Sequence, residues 1–240
     1  MFRGSLDYLR TVNILFVSAT VSEASGAGLL PEGSAPVTGT LFPLQLPGHT
    51  ASLLVTGVGQ AATAYELGRH LALHSYDLAL NIGVAGSFRR DLALTSVVWV
   101  KQDCFADLGA EDGDGFLSLF QLGFSGENEF PFQNGVLVAD FPAGLNLPAV
   151  SGVHAVSVNK VQGRADSIKA FLNSYPDAEI ESMEGAAFYY ACLKAKQPCL
   201  QLRAVSNYVE TRNRAAWKIR EALDALKGVL ENWLSSNQTV

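Results

Sequence analysis

The chain has 240 residues, of which 48% are hydrophobic and only 17% charged. That length and composition support one well-buried core and leave little room for long disordered tracts. A net charge of -6 argues against binding nucleic acid by neutralising phosphates, and no apolar run reaches the ~18 residues of a membrane span.

Residues 1–10, MFRGSLDYLR, have no apolar centre of their own. They read as a flexible extension rather than a secretory signal, with residues 11–240 as a single domain. Residues 13–18, NILFVS, form a short apolar run with polar neighbours, expected of a buried strand. The small residues of 19–28 follow as a turn carrying one acid, Glu23. Residues 40–46 and 51–56 read as two strands joined by a hairpin-like turn at 47–50. Gly57 and Gly59 then open a helix with Ala61, Ala64, Leu67, Leu71 and Leu73 at its apolar positions. A glycine turn between strand and helix leaves backbone amides free to meet oxygen atoms of a ligand. It matches neither a dinucleotide fingerprint, which would need an acid about twenty residues on, nor a phosphate loop, which would need Gly-Lys-Ser/Thr.

Residues 77–86 form a strand that runs into a second glycine turn, Gly83-Val84-Ala85-Gly86, expected to be a backbone cradle. Residues 96–105 form another strand. Residues 106–133 are acidic, rich in glycine and phenylalanine and without a period, which suggests a lid or flap. Strands are expected at 136–140 and 153–161. An amphipathic helix spans 164–175, with Ile168, Phe171 and Leu172 inward and Pro176 as its stop. In AEIESMEGAAFYYACL, residues 178–193, a period of two gives way to helical spacing at Gly185. A strand at 198–206, a turn at 207–214 and a helix from 215 to 234 complete the chain. That last helix carries Ile219, Ala222, Leu223, Leu226, Val229, Leu230 and Trp233 on one stripe. Alternating strands and helices predict one three-layer α/β/α domain around a mixed, twisted central sheet.

Cys104, Cys192 and Cys199 are far apart, with no histidine at ligand spacing, so they read as buried thiols of a reducing cytoplasm. His70 and His74 stand at helical spacing, but Leu71 replaces the Glu a zinc protease would need. No metal and no cofactor is expected.

The polar residues that remain, Glu23, Glu184 and Asn207, each follow a predicted strand, as does the 83–86 cradle. Strand ends on one sheet edge converge in space, which is where open α/β sheets bind ligands. Glu184 offers two oxygens that can accept hydrogen bonds from a sugar diol. An acid near a helix start is also favoured by the helix dipole alone, so its own segment does not choose between the two roles. The set lacks a Ser-His-Asp triad and an activated cysteine. It suits cleavage of a nucleoside's glycosidic bond: one acid to orient water, one to hold the sugar, one amide to read the base.

NILFVSATVSE, VTGVGQAATA, LNIGVAGSF, FADLGAE, IESMEGAAF and LRAVSNYVETRNR together resemble the nucleoside phosphorylase and nucleosidase superfamily over nearly the whole chain. Through ESMEGAAFYYACL and RAVSNYVETRNRAAWKI the chain is most similar to the futalosine hydrolases, which remove hypoxanthine from futalosine on the way to menaquinone. The resemblance implies that Glu23 orients and deprotonates water, that Met183 packs on the ribose and that Glu184 holds its hydroxyls. It implies that Val161 and Gln162 present backbone to the base, that Asn207 faces purine N7, and that the enzyme is a cytoplasmic homo-oligomer acting on a small nucleoside. Methylthioadenosine nucleosidases carry an aspartic acid at the Asn207 position. An asparagine amide can donate to N7 and to a 6-oxo group, which favours hypoxanthine over adenine. SATVSE and Asn81-Ile82-Gly83 contain no arginine, and Val84 stands where a phosphate-binding serine is expected. A phosphate dianion would be poorly held there, so water is the expected nucleophile.

Overall fold

The computed structural model describes residues 11–113 and 115–237, so the extension expected at 1–10 lies outside the described residues. The central strand β1 (Val12–Ser18) is apolar on both faces because helices cover both. Ile14 and Phe16 pack with α1 (Val21–Gly26) and α5 (Ile219–Ser236), through Ala24, Ala222, Leu226, Leu230 and Trp233. Leu15 and Val17 pack with α2 (Gln60–Leu71) and α4 (Gly185–Lys194), through Leu67, Leu71, Phe188 and Tyr189. Each large apolar side chain buried this way contributes about 1.5–3 kcal/mol. The result is the expected three-layer α/β/α arrangement.

The sheet is mixed. β2 (Leu41–Leu46) and β3 (His49–Val55) form an antiparallel hairpin turning at Pro47-Gly48, where Gly48 takes φ +74°. β1 runs parallel to β3 and to β4 (Leu78–Ser87). β4 runs parallel to β11 (Cys199–Tyr208), which pairs antiparallel with β5 (Val97–Asp103). β5 is flanked by β8 (Leu137–Val138) and by β9 (Ser151–Ser157), which pairs in parallel with β10 (Ile180–Ser182). β10 then returns to β4, with Ile180 opposite Ser87 and Glu181 opposite Gly86. The sheet therefore curls until the end of β4 has β10 on one side and β11 on the other.

Several local expectations are corrected. Residues 19–28 are a short helix rather than a turn, because Thr20 caps it. Gly83, Val84, Ala85 and Gly86 are not a turn; β4 runs through them, held on both edges by β11 and β10. The 106–133 stretch contains a hairpin of β6 (Gly109–Asp112) and β7 (Gly115–Ser118). β9 stops at Ser157, so Val161 and Gln162 lie beyond the sheet. In α2 the inward positions are Gln60, Thr63, Leu67 and Leu71, whereas Leu73 is 78% exposed past its end. The helix α3 (Ala165–Ser174) buries none of its residues fully. The three thiols are free, Cys192 and Cys199 buried and Cys104 half-buried.

Candidate active site

Glu23 is fixed by its own helix cap. Thr20 is extended (φ -132°, ψ 152°), and its hydroxyl oxygen accepts the Glu23 amide at 3.1 Å. The same hydroxyl donates to Glu23 Oε2 at 2.9 Å. The other carboxylate oxygen accepts the Val84 amide at 3.1 Å. The Thr-x-x-Glu spacing is a capping signature that the sequence displayed. Gly83 lets Glu23 approach β4: a Cβ there would stand 2.7 Å from Glu23 Oε1 and 2.7 Å from Arg203 Nη1.

Arg203 is the residue that sequence reasoning missed. It sits opposite Gly83 in the β11–β4 register and is 1% exposed. Its guanidinium donates to Asn81 Oδ1, and to Gln201 Oε1 through Nε at 3.3 Å and Nη2 at 3.1 Å. Gln201 passes the chain on, donating to Asp103 Oδ2 at 3.2 Å and to the Gly185 carbonyl at 3.1 Å. Asp103, fully buried, also accepts the Ser157 hydroxyl at 3.0 Å and the Cys104 amide at 2.9 Å. Burial pushes its carboxyl up to about 6 against those hydrogen bonds and the Arg203 charge. One signal was available. Asn81 and Gly83 in β4, and Gln201 and Arg203 in β11, interrupt two apolar strands at alternate positions, the period of one strand face.

Glu184 caps α4 and is 7% exposed. Its Oε1 accepts the Gly59 amide at 2.9 Å, so this amide of the glycine turn is taken by a protein carboxylate rather than left free for a ligand. Burial raises its pKa, the Arg203 charge and the Gly59 amide lower it, and the charge of Glu23 raises it. Glu23, Glu184 and Arg203 thus form one electrostatic group, although the two glutamates lie 161 positions apart in sequence. Met183, next to Glu184, is half-buried.

A second group lies three residues further along β4. Gly86 stands between Glu181 of β10 and Asn207 of β11 in the sheet register. Asn207 is in the strand, not in a turn, at a bulge that shifts the register after Val205. Its Oδ1 accepts the Ser206 hydroxyl at 2.9 Å and its Nδ2 donates to the Tyr208 carbonyl at 3.0 Å. One amide N–H remains for a ligand, not the two that the sequence reading used. The Gln162 amide donates to Glu181 Oε2 at 3.3 Å. Val161 and Gln162 are half-buried, whereas Ala85 is buried among the α2 and α4 side chains and offers only its backbone. Among the described residues no cluster of His, Cys, Asp and Glu is arranged to hold a metal ion, and no helix is long and apolar enough to cross a membrane.

Comparison with known proteins gives the class first. The model of the phosphorylase superfamily matches residues 19–235. The solved methylthioadenosine/adenosylhomocysteine nucleosidase of Colwellia psychrerythraea, in complex with adenine, shares the fold. Its TM-score is 0.75 at 17% identity, covering 95% of this chain and 97% of that one. Among curated relatives, futalosine hydrolase of Streptomyces coelicolor is 35% identical over 193 residues, 75% of this chain and 80% of the relative. Futalosine hydrolase of Acidothermus cellulolyticus is 33% identical over 231 residues, 90% of this chain and 88% of the relative. The chain belongs to the phosphorylase superfamily and, within it, to the futalosine hydrolase family.

Proposed function

We propose that this enzyme hydrolyses the N-glycosidic bond of futalosine, releasing hypoxanthine, with Glu23, Glu184 and Asn207 at the reacting nucleoside. The observation that carries the reading is the juxtaposition of Glu23 and Glu184 around the buried Arg203. The C1′–N9 bond breaks with its electron pair leaving on the purine. A water oxygen bonds to C1′ and gives a proton to Glu23, held in place by Thr20 and the Val84 amide. Glu184, whose second oxygen is not used by Gly59, holds the ribose hydroxyls beside Met183. The free N–H of Asn207 stabilises the departing base, which takes its proton from solvent because an amide cannot supply one.

Arg203 changes the argument against phosphorolysis without reversing it. An arginine is present after all, but its guanidinium is engaged by Asn81 and Gln201 and faces two carboxylates. One cation shared by two anions leaves no net positive charge for a phosphate dianion. Hypoxanthine release from futalosine, with and without phosphate, tests the reading. Release that needs no phosphate supports it, and release that depends on phosphate makes the enzyme a phosphorylase. Methylthioadenosine, offered in parallel, tests the second reading suggested by the structural neighbour. The same reading takes the enzyme to be a cytoplasmic homo-oligomer in menaquinone biosynthesis, and sedimentation equilibrium checks the oligomer.

A further inference from the structure

β10 contributes a carboxylate, Glu181, that the reaction above leaves unused. Glu181 is 4% exposed and, among the described residues, pairs with no cation. Its one hydrogen bond is the long one from the Gln162 amide, 3.3 Å. A carboxylate in that state is costly, since burial favours its neutral form. Burial indeed pushes its carboxyl up to about 7. A packing role alone would be served better by an apolar residue on this strand.

Its position is specific. Glu181 and Asn207 are both register partners of Gly86, one on each side of β4. Their side chains converge on the space in front of that glycine. A Cβ on Gly86 would lie 3.5 Å from Glu181 Cγ, 3.1 Å from Asn207 Nδ2 and 3.0 Å from Val209 Cγ2. Two strands flanking a third have backbones about 9.6 Å apart, so it is the missing side chain that lets Glu181 and Asn207 both approach one point beside β4. The pair offers unlike chemistry. In its ionised form, which a ligand N–H donor favours, the carboxylate only accepts, while the remaining Asn207 N–H donates.

We propose that Glu181 is a specificity-determining residue that accepts the N1–H of a 6-oxopurine, while Asn207 donates to the O6 and N7 edge. This inference rests on the futalosine reading above and deepens it. A 6-oxopurine presents a donor at N1 and acceptors at O6 and N7, which matches the pair in order. A 6-aminopurine presents a lone pair at N1, which faces the carboxylate unfavourably, and an amino donor where Asn207 also donates. The N1–H supplies the buried carboxylate with the charge-assisted hydrogen bond it lacks.

The test compares wild-type and Glu181→Gln enzyme on futalosine and its 6-amino analogue, with hypoxanthine, N1-methylhypoxanthine and adenine as product inhibitors. Wild-type enzyme is expected to bind N1-methylhypoxanthine at least about tenfold more weakly than hypoxanthine, the scale of one hydrogen bond to a charged group. The Gln variant is expected to lose about ten- to a hundredfold in kcat/KM on futalosine and about as much of its preference for the 6-oxo nucleoside. An equal loss on both nucleosides, or equal inhibition of wild-type enzyme by the two hypoxanthines, overturns the proposal. The methylated base keeps the question open to decision even if the variant misfolds. Wild-type enzyme that releases no hypoxanthine from futalosine overturns the functional reading itself, and this inference with it.

Discussion

Replacing Arg203 by methionine keeps the length of the side chain and removes the one buried cation of the site. In the folded protein that charge lowers the pKa of both Glu184 and Asp103. Both carboxylates are more than nine-tenths buried, so the loss leaves them without a compensating charge in a low-dielectric interior. Removing one partner of such a group costs about 3–5 kcal/mol. For a chain of this size each kcal/mol lowers the melting temperature by about 2–4 °C, so the expected drop is roughly 6–20 °C. The acidic limb of kcat/KM should move to higher pH as well, because Glu184 becomes harder to ionise. Calorimetry and a pH–rate profile read the two effects. The decisive measurement is the double variant Arg203→Met with Glu184→Gln. Neutralising the orphaned acid should recover stability, with a coupling energy above about 1 kcal/mol. If the two substitutions add within about 0.5 kcal/mol and the acidic limb stays where it was, the electrostatic account of the site is wrong.

Three further outcomes follow from individual contacts. Asp103, raised to about 6 from its ordinary 3.8, favours the folded state when protonated. Its contribution, about 3 kcal/mol at most, is full below pH 3.8 and is lost as the pH rises through about 6. Asp103→Asn should therefore flatten stability against pH between those values, read by urea unfolding at a series of pH. Gly185→Ala would set a Cβ 2.1 Å from Asp103 Oδ2 and 2.4 Å from Gln201 Oε1. A loss of about 1–3 kcal/mol in chemical denaturation is expected, and an unchanged midpoint would show that this network yields freely. Asn207→Asp replaces the N–H that meets the Tyr208 carbonyl at 3.0 Å with an oxygen. Its kcat/KM should fall about tenfold on the 6-oxo nucleoside and rise on the 6-amino one. Retained 6-oxo activity without any 6-amino gain would contradict the role given to the amide.

Most strands and helices were legible because their periods report which faces are covered. β1 shows an unbroken apolar run because helices lie on both sides, and α5 shows a single stripe because only one side meets the sheet. The hairpin of β2 and β3 was legible from Pro47-Gly48. The errors have local causes. A six-residue helix shows less than two turns of period, so only its Thr20 cap could reveal α1. Gly83 and Gly86 look like a turn in sequence but sit in a strand, because close approach by Glu23, Arg203 and Asn207 leaves no room for side chains there.

Taken alone, the order of residues determined the alternation of strands and helices and marked Glu23 and Glu184 as acids that follow strands. Those properties depend on neighbours within a few positions, where backbone period and turn chemistry act. The tertiary structure alone decided that Arg203 lies against Gly83, and that Gly86 lies between Glu181 and Asn207. Such meetings depend on strand register and on the curl that returns β10 to β4. Register is set by packing summed over the whole sheet, and no single segment carries it.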